Sequence, residues 1–224
     1  AEKRDALLAR IQTTTSYADL NGCDLVIEAV FEDRDIKAAC TQKTEAVIAA
    51  DAVFASNTST LPITGLAKAS VRPANFIGLH FFSPVDKMPL VEIIVGAETS
   101  DETLARGFDY VLQIGKTPIV VNDKRGFYTS RVFATYVMEG LAMVAEGVHP
   151  RSVEVAGMKA GMPMPPLALQ DEVSLSLSLH ISAQTRKDLA AEGIDYPAHP
   201  GEAVLQEVCG VRGRVGKKSG QGLY

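Results

Sequence analysis

Five short apolar runs in the first half of the chain constrain its fold more than any other feature. They are rich in Val, Ile, Leu and Phe, and they occupy residues 24–30, 52–56, 75–81, 91–95 and 118–121. Continuous apolar runs of this length are typical of strands buried on both faces, as in a mostly parallel sheet. Residues 35–50, between the first two runs, carry apolar residues at helical spacing. Strand, helix and strand in this order predict a βαβ unit.

The pattern changes near residues 122–126, after which helical spacing replaces the short runs. Residues 127–148 place apolar side chains three and four positions apart, which predicts a helix with a wide apolar face. Further helices are predicted at residues 151–159, 166–189 and 201–208. The fold class predicted is therefore α/β plus all-α. A partial Rossmann-type dinucleotide-binding domain is expected at residues 1–121, followed by a helical C-terminal substrate or dimerisation domain at residues 122–224.

The first half lacks the glycine-rich turn of a dinucleotide-binding domain. The sequence contains no G-x-G-x-x-G, and it opens with a helix-like segment at residues 1–11. If the sheet is of the Rossmann type, we expect its first strand, phosphate loop and first helix to lie upstream of residue 1.

Composition and charge exclude several classes of function. The 22 basic and 27 acidic residues give a net charge of −5, without a long run of Lys or Arg, so nucleic acid is not an expected partner. The cysteines Cys23, Cys40 and Cys209 include no C-x-x-C pair, which argues against a disulfide framework or a zinc ribbon. The four histidines form no ligand cluster, so no catalytic metal is expected. Without a secretory signal or an apolar stretch of the ~20 residues that span a bilayer, a cytoplasmic protein is expected.

His80 and Glu92 are the best candidates for acid–base chemistry. His80 ends an apolar run, and ligands bind at the carboxyl ends of parallel strands. Glu92 lies within the apolar run of residues 90–94, where an unpaired carboxylate would be costly to bury. A pair of the two would fix the imidazole tautomer and raise its basicity, as a general base for an alcohol requires. The alternatives left open are a core histidine bonded to backbone and a glutamate facing solvent on an edge strand.

Three polar segments are weaker candidates. Residues 56–60 follow the second run and offer hydroxyl and amide groups to a substrate or a nicotinamide, although from the residues alone a helix cap for the segment starting at Leu61 is favoured. The acids in residues 31–35 either complement the next helix or contact a cofactor. The cationic, glycine-rich tail at residues 212–222 is either a solvated end or a phosphate contact.

Several of these segments together resemble the 3-hydroxyacyl-CoA dehydrogenases of fatty-acid β-oxidation, most closely the dehydrogenase part of the multifunctional bacterial type. The similar segments follow the family's order and span nearly the whole chain. They are DLVIEAV at 24–30, ASNTSTL at 55–61, GLHFFSP at 78–84, PLVEII at 89–94, RGFYTSR at 125–131, GMPMPP at 161–166 and GKKSGQGLY at 216–224.

The resemblance implies a reaction and a set of site residues. It implies oxidation of a 3-hydroxyacyl-CoA to the 3-oxoacyl-CoA with NAD as cofactor, with His80 as the base and Glu92 as its orienting carboxylate. Ser59 is implied as a contact of both substrate and cofactor, and Ser130 occupies the position of a further substrate contact. The implied NAD contacts are Ala29, Glu32, Lys37, Asn57, Ser59 and Lys218. The implied assembly is a homodimer or part of a multifunctional enzyme that binds an acyl-CoA.

Three departures from the family pattern bear on these expectations. Ser130 stands where many members have Asn. Ser83 replaces an Asn that is common in the family's His-Phe-Phe motif, which is at residues 80–82 here. The glycine-rich phosphate loop is missing, and because that loop anchors the pyrophosphate, we expect these 224 residues alone to bind NAD weakly or not at all. The alternatives are a dehydrogenase of a small hydroxy acid with the same two-domain plan, and a non-catalytic dimerisation or acyl-CoA-binding fragment.

Overall fold

The computed structural model describes residues 2–191 and 193–224. Contacts divide the chain into two compact units, one ending at Ser130 and the other spanning Arg131–Tyr224. The domain boundary expected after residue 121 stays a prediction.

The first unit is built on a single mixed sheet. In the described residues this sheet has five strands in the order in which they occur along the chain. They are β1 (Leu25–Glu28), β2 (Val53–Ser56), β3 (Phe76–Phe81), β4 (Leu90–Val95) and β5 (Thr117–Asn122). The pairs β1–β2, β2–β3 and β4–β5 are parallel, and β3–β4 is antiparallel. The mostly parallel sheet expected from the apolar runs is confirmed.

Helices accompany this sheet. Those of the first unit are α1 (Glu2–Leu8), α2 (Arg34–Glu45), α3 (Ile63–Ala67) and α4 (Asp101–Gln113). The predicted βαβ unit is β1–α2–β2, and α2 begins where the side chain of Asp33 accepts hydrogen bonds from the backbone N–H groups of Asp35 and Ile36. The sequence analysis did not predict α4, whose first turn is capped by the side chain of Ser100.

The sheet is buried on both faces. Successive residues of a strand pack into two different hydrophobic clusters, one on each face. Phe54 and Phe76 pack with Ile63, Leu66 and Ile94 on one face. The other face has its own cluster, formed by Val53, Ala55, Ile77, Leu79, Val91, Ile93 and Val111. This two-sided burial explains why the strand sequences are continuous apolar runs.

The second unit is helical. Its elements are α5 (Thr129–Ala145, whose first two residues belong to the first unit), α6 (Pro150–Lys159), α7 (Pro166–Val173), α8 (Leu175–Ala191), α9 (Gly201–Leu205), a π-helical turn at Gln206–Val211 and a 3-10 turn at Lys217–Ser219. Its core contains Leu141, Val153, Leu167, Leu175 and Leu205.

The prediction of a single helix at residues 166–189 was wrong. It is two helices, because Ser174 adopts φ 97°, a left-handed conformation that ends α7. The hydroxyl of Ser174 donates to the backbone carbonyl of Val215 at 3.0 Å, which fixes this break.

Membrane-spanning helices and metal-ligand clusters are both absent from the described residues. No helix there has the length and apolarity needed to cross a bilayer. No group of three or more His, Cys, Asp or Glu side chains is arranged there to hold a metal ion.

Candidate active site

His80 and Glu92 face each other across the antiparallel strand pair β3–β4. They are direct register partners, and His80 Nδ1 lies 2.7 Å from Glu92 Oε2. Both are buried, with 5% of His80 and none of Glu92 exposed. The alternative of a solvent-facing Glu92 on an edge strand was wrong, since β4 lies between β3 and β5.

The carboxylate of Glu92 is surrounded by donors. Its Oε1 accepts from the backbone N–H groups of Tyr128 and Thr129 at 3.0 and 2.9 Å. Its Oε2 accepts from the hydroxyl of Thr129 at 2.8 Å as well as facing His80. Burial alone would raise the pKa of this carboxyl, but the hydrogen bonds from His80 and Thr129 outweigh it and hold the pKa below its ordinary value.

Because a carboxylate only accepts hydrogen bonds, His80 Nδ1 carries the proton between the two side chains. The other ring nitrogen, Nε2, is then the basic one in the neutral imidazole. Aromatic rings border this imidazole: the ring centroids of Phe82 and Phe127 lie 4.5 and 6.0 Å from that of His80. The arrangement gives an oriented imidazole whose protonated form would be stabilised by a buried negative charge.

The polar segment after β2 lies beside the end of β3. Asn57 Oδ1 accepts from the backbone N–H of Phe81 at 2.8 Å, which ties this segment to the residue after His80. The hydroxyl of Ser130 donates to the backbone carbonyl of Ser59 at 3.3 Å. The structure therefore brings together four of the residues implied by the resemblance, His80, Asn57, Ser59 and Ser130.

Glu32 joins the same segment to the end of β1. Its Oε1 accepts from the hydroxyl of Thr58 at 2.5 Å and from the backbone N–H groups of Ser59 and Thr60 at 3.1 and 3.3 Å. Ala29 is exposed, directly after the last residue of β1. The helix-cap reading of residues 56–60 also has a basis, because the hydroxyl of Thr58 accepts from the backbone N–H of Leu61 at 3.0 Å.

The two predicted lysines have different settings. Lys37 is buried, and its Nζ lies 3.0 Å from Glu28 Oε1 and 3.3 Å from Glu32 Oε2. Lys218 is exposed on the 3-10 turn of the second unit. Within that unit the tail is held by the carboxylate of Asp171, which accepts from the backbone N–H of Leu223 at 2.7 Å.

Sequence reasoning assigned no role to two residues that complete this region, Glu28 and Thr129. Glu28 is a buried acid at the end of an apolar run, which is the same signal that singled out Glu92. Thr129 lies in the similar segment RGFYTSR at 125–131, but no sequence pattern predicts its contact with Glu92, because the two residues are far apart along the chain.

A separate hollow of about 610 Å³ opens at the amino end of β1 and is lined in part by Gly22, Cys23, Asp24 and Arg106. It contains none of the predicted site residues. The candidate site is at the carboxyl ends of β1, β2 and β3, where α/β sheets bind ligands.

Comparison with known families decides the class of the protein. The family described as "3-hydroxyacyl-CoA dehydrogenase, NAD binding domain" matches residues 1–124, and "3-hydroxyacyl-CoA dehydrogenase, C-terminal domain" matches residues 126–224. The chain belongs to the 3-hydroxyacyl-CoA dehydrogenase family. The resemblance inferred from the sequence segments is thereby confirmed.

Members of this family with known names support the assignment. The chain is 42% identical over 221 residues to the fatty acid oxidation complex subunit alpha of Shewanella baltica, a match that covers 99% of this chain and 30% of the relative. It thus spans about a third of the length of such relatives.

Solved structures of the family give the same result. (S)-3-Hydroxybutyryl-CoA dehydrogenase from Ralstonia eutropha matches with a TM-score of 0.88 and 35% identity, over 100% of this chain and 78% of that one. 3-Hydroxybutyryl-CoA dehydrogenase from Escherichia coli matches with a TM-score of 0.89 and 31% identity, over 100% and 47%.

Proposed function

We propose that this chain is the dehydrogenase part of an enzyme that oxidises 3-hydroxyacyl-CoA to 3-oxoacyl-CoA with NAD. The observation that carries the proposal is the buried pair of His80 and Glu92, joined at 2.7 Å at the carboxyl end of β3. Family membership and the names of the similar dehydrogenases support the same reaction and the same cofactor.

His80 acts as the general base. With its proton held on Nδ1 by Glu92, the imidazole accepts the proton of the substrate hydroxyl at Nε2. The carboxylate of Glu92 stabilises the imidazolium that forms, and its hydrogen bonds to Tyr128 and Thr129 keep it in place during the reaction. In the reverse direction, the imidazolium returns the proton to the oxygen of the 3-oxo group.

The residues at the carboxyl ends of β1 and β2 fit the nicotinamide side of the cofactor. Asn57, Ser59 and Glu32 provide amide, hydroxyl and carboxylate groups there, the polar groups by which protein sites orient ligands. A bound NAD would supply the acceptor for the hydride that leaves C3 of the substrate. Ser59 and Ser130, which share a hydrogen bond, are proposed to orient the substrate, and Ala29, Lys37 and Lys218 are proposed as further cofactor contacts.

The relatives' names bear on the assembly and the location. Because relatives are subunits of a fatty acid oxidation complex, we include a larger multifunctional enzyme and a homodimer in the proposal, with an acyl-CoA as substrate. A cytoplasmic location is also proposed, in keeping with the free thiols of Cys23, Cys40 and Cys209.

The test is whether the full-length protein catalyses the reduction of acetoacetyl-CoA by NADH, measured as the decrease in NADH absorbance. We expect turnover in the wild type, and a loss of roughly 10²–10⁴-fold in His80→Ala because general-base catalysis is removed. The control is His180→Ala, an exposed histidine on α8.

Other outcomes identify the competing functions. Activity that survives His80→Ala contradicts the proposed mechanism and favours a non-catalytic binding role. Preference for a free small hydroxy acid over acyl-CoA substrates identifies the second type of dehydrogenase.

A further inference from the structure

A buried charged cluster lies between β1 and α2. Lys37 Nζ lies 3.0 and 3.2 Å from the two carboxylate oxygens of Glu28, and the side chains of both residues are 2% exposed. The same ammonium lies 3.3 Å from Glu32 Oε2. Lys37 therefore joins the carboxylates of Glu28 and Glu32.

Glu28 connects this cluster to the polar segment after β2. It is the last residue of β1 and the register partner of Ser56, the last residue of β2. The hydroxyl of Ser56 donates to Glu28 Oε1, and the backbone N–H of Val30 donates to Oε2 at 3.1 Å. The backbone carbonyl of Glu28 accepts from the N–H of Asn57 at 2.8 Å. Glu28 thus fixes both Lys37 and the start of the polar segment after β2.

Glu32 connects Lys37 to Ser59. Glu32 is bound by Lys37 through Oε2, while its Oε1 accepts from the backbone N–H groups of Ser59 and Thr60. The side chain of Glu32 is 37% exposed, and two buried groups hold it on the protein side: Lys37 at Oε2, and the hydroxyl of Thr58 at Oε1. A buried charge whose partner is removed is strongly unfavourable. Loss of Glu28 would leave the Lys37 ammonium with the carboxylate of Glu32 and, at 3.5 Å, the backbone carbonyl of Val30, so Glu32 would shift towards Lys37 and away from Ser59 and Thr60.

We infer that Glu28 is a positioning residue for the segment that carries Ser59, and that it acts through Lys37 and Glu32. The inference rests on the proposed function for the role of Ser59, but not for the existence of the network. It also gives Lys37 a role, because its ammonium holds Glu32 in the position that orders Ser59 and Thr60.

The first test measures amide hydrogen exchange at Ser59 and Thr60 in the full-length protein. In Glu28→Gln, which keeps the size of the side chain and removes its charge, we expect both amides to lose protection by about tenfold or more. The matched control is Glu45→Gln. Glu45 is a buried glutamate on α2 that accepts from the hydroxyl of Ser70 and the N–H of Val71, outside the site.

Three outcomes are decisive. Loss of protection at the two amides in Glu28→Gln, and not in Glu45→Gln, supports the inference. Unchanged protection in Glu28→Gln, or the same loss in the control, overturns it. If Glu28→Gln does not fold, Glu28→Asp keeps the charge but shortens its reach to Lys37, and the absence of any loss in that variant overturns the inference as well.

The second test is a kinetic cycle of Glu28→Gln, Glu32→Gln and the double variant. If Glu28 acts through Glu32, kcat/KM of the double variant equals that of the more impaired single variant within about twofold. Effects that multiply would show that Glu28 acts independently of Glu32. A wild-type protein without dehydrogenase turnover would refute the proposed function, while the exchange measurement would still decide the positioning role.

Discussion

The substitution Glu92→Gln tests the proposed base directly, because a carboxamide has the size of a carboxylate but only one acceptor oxygen. In the wild type, Oε1 accepts from two backbone N–H groups, of Tyr128 and Thr129, and Oε2 faces His80 Nδ1 at 2.7 Å. The single oxygen of the amide can serve only one side. Since the backbone side has two donors that cannot turn away, we expect the oxygen to face the backbone and the NH₂ group to face His80.

The size of the effect follows from the tautomer. An NH₂ group donates to Nδ1, so the ring proton moves to Nε2, which can then no longer accept the proton of the substrate hydroxyl. General-base catalysis contributes about 10²–10⁴-fold. We therefore expect kcat of Glu92→Gln to fall by that factor, which corresponds to about 2.7–5.5 kcal/mol in the activation free energy.

The assay combines steady-state oxidation of a short 3-hydroxyacyl-CoA by NAD with nitrogen NMR of the His80 ring, which reports the protonated nitrogen. Glu45→Gln serves as the control for the loss of a buried carboxylate in the same unit. Two results would refute the reasoning. One is a kcat within about threefold of the wild type, and the other is a variant whose His80 still carries its proton on Nδ1.

Three further predictions concern stability and cofactor binding. The pKa of Glu92 is held below its ordinary value of 4.5, so the ionised side chain stabilises the folded protein above about pH 5, and this stabilisation is lost on acidification. Urea titrations should therefore show a steeper fall in the free energy of unfolding below pH 4.5 for the wild type than for Glu92→Gln. Gly78→Ala would place a Cβ 2.8 Å from side-chain atoms of Ile63, and we expect thermal melting to show a loss of about 1–3 kcal/mol from this overpacking; an unchanged melting temperature would contradict the tight contact. The 224-residue chain alone should bind NAD weakly or not at all in calorimetry, because it contains no glycine-rich phosphate turn; tight, stoichiometric binding would contradict this expectation.

The sequence predicted the sheet well because burial on both faces leaves a direct record, a continuous apolar run. The same reasoning found Glu92, since an acid inside such a run needs a partner, and the structure gives it His80 together with Thr129. Helix boundaries were harder to predict. Ser174 interrupts an otherwise continuous helical pattern through its φ angle of 97°. No residue type within residues 166–189 predicts this break.

The sequence could not reveal contacts between distant segments. Glu28 has the same signal as Glu92, but its role depends on Lys37 and Ser56, which only the packing of α2 and β2 against β1 brings together. Thr129 contacts Glu92 across 37 positions of the chain. The resemblance to a family supplied residue roles that spacing alone left open, such as those of Ser59 and Ser130.

The reversal of chain direction between β3 and β4 determines which insertions and deletions can occur in evolution without separating His80 from Glu92. The two residues are opposite each other through the hydrogen-bonded ladder, so the intervening segment at residues 82–89 can gain or lose residues without separating them. An insertion of one residue inside either strand would instead turn one of the two side chains to the opposite face of the sheet. Length variation among related enzymes should therefore collect in that segment, and the strands on either side should keep a constant length.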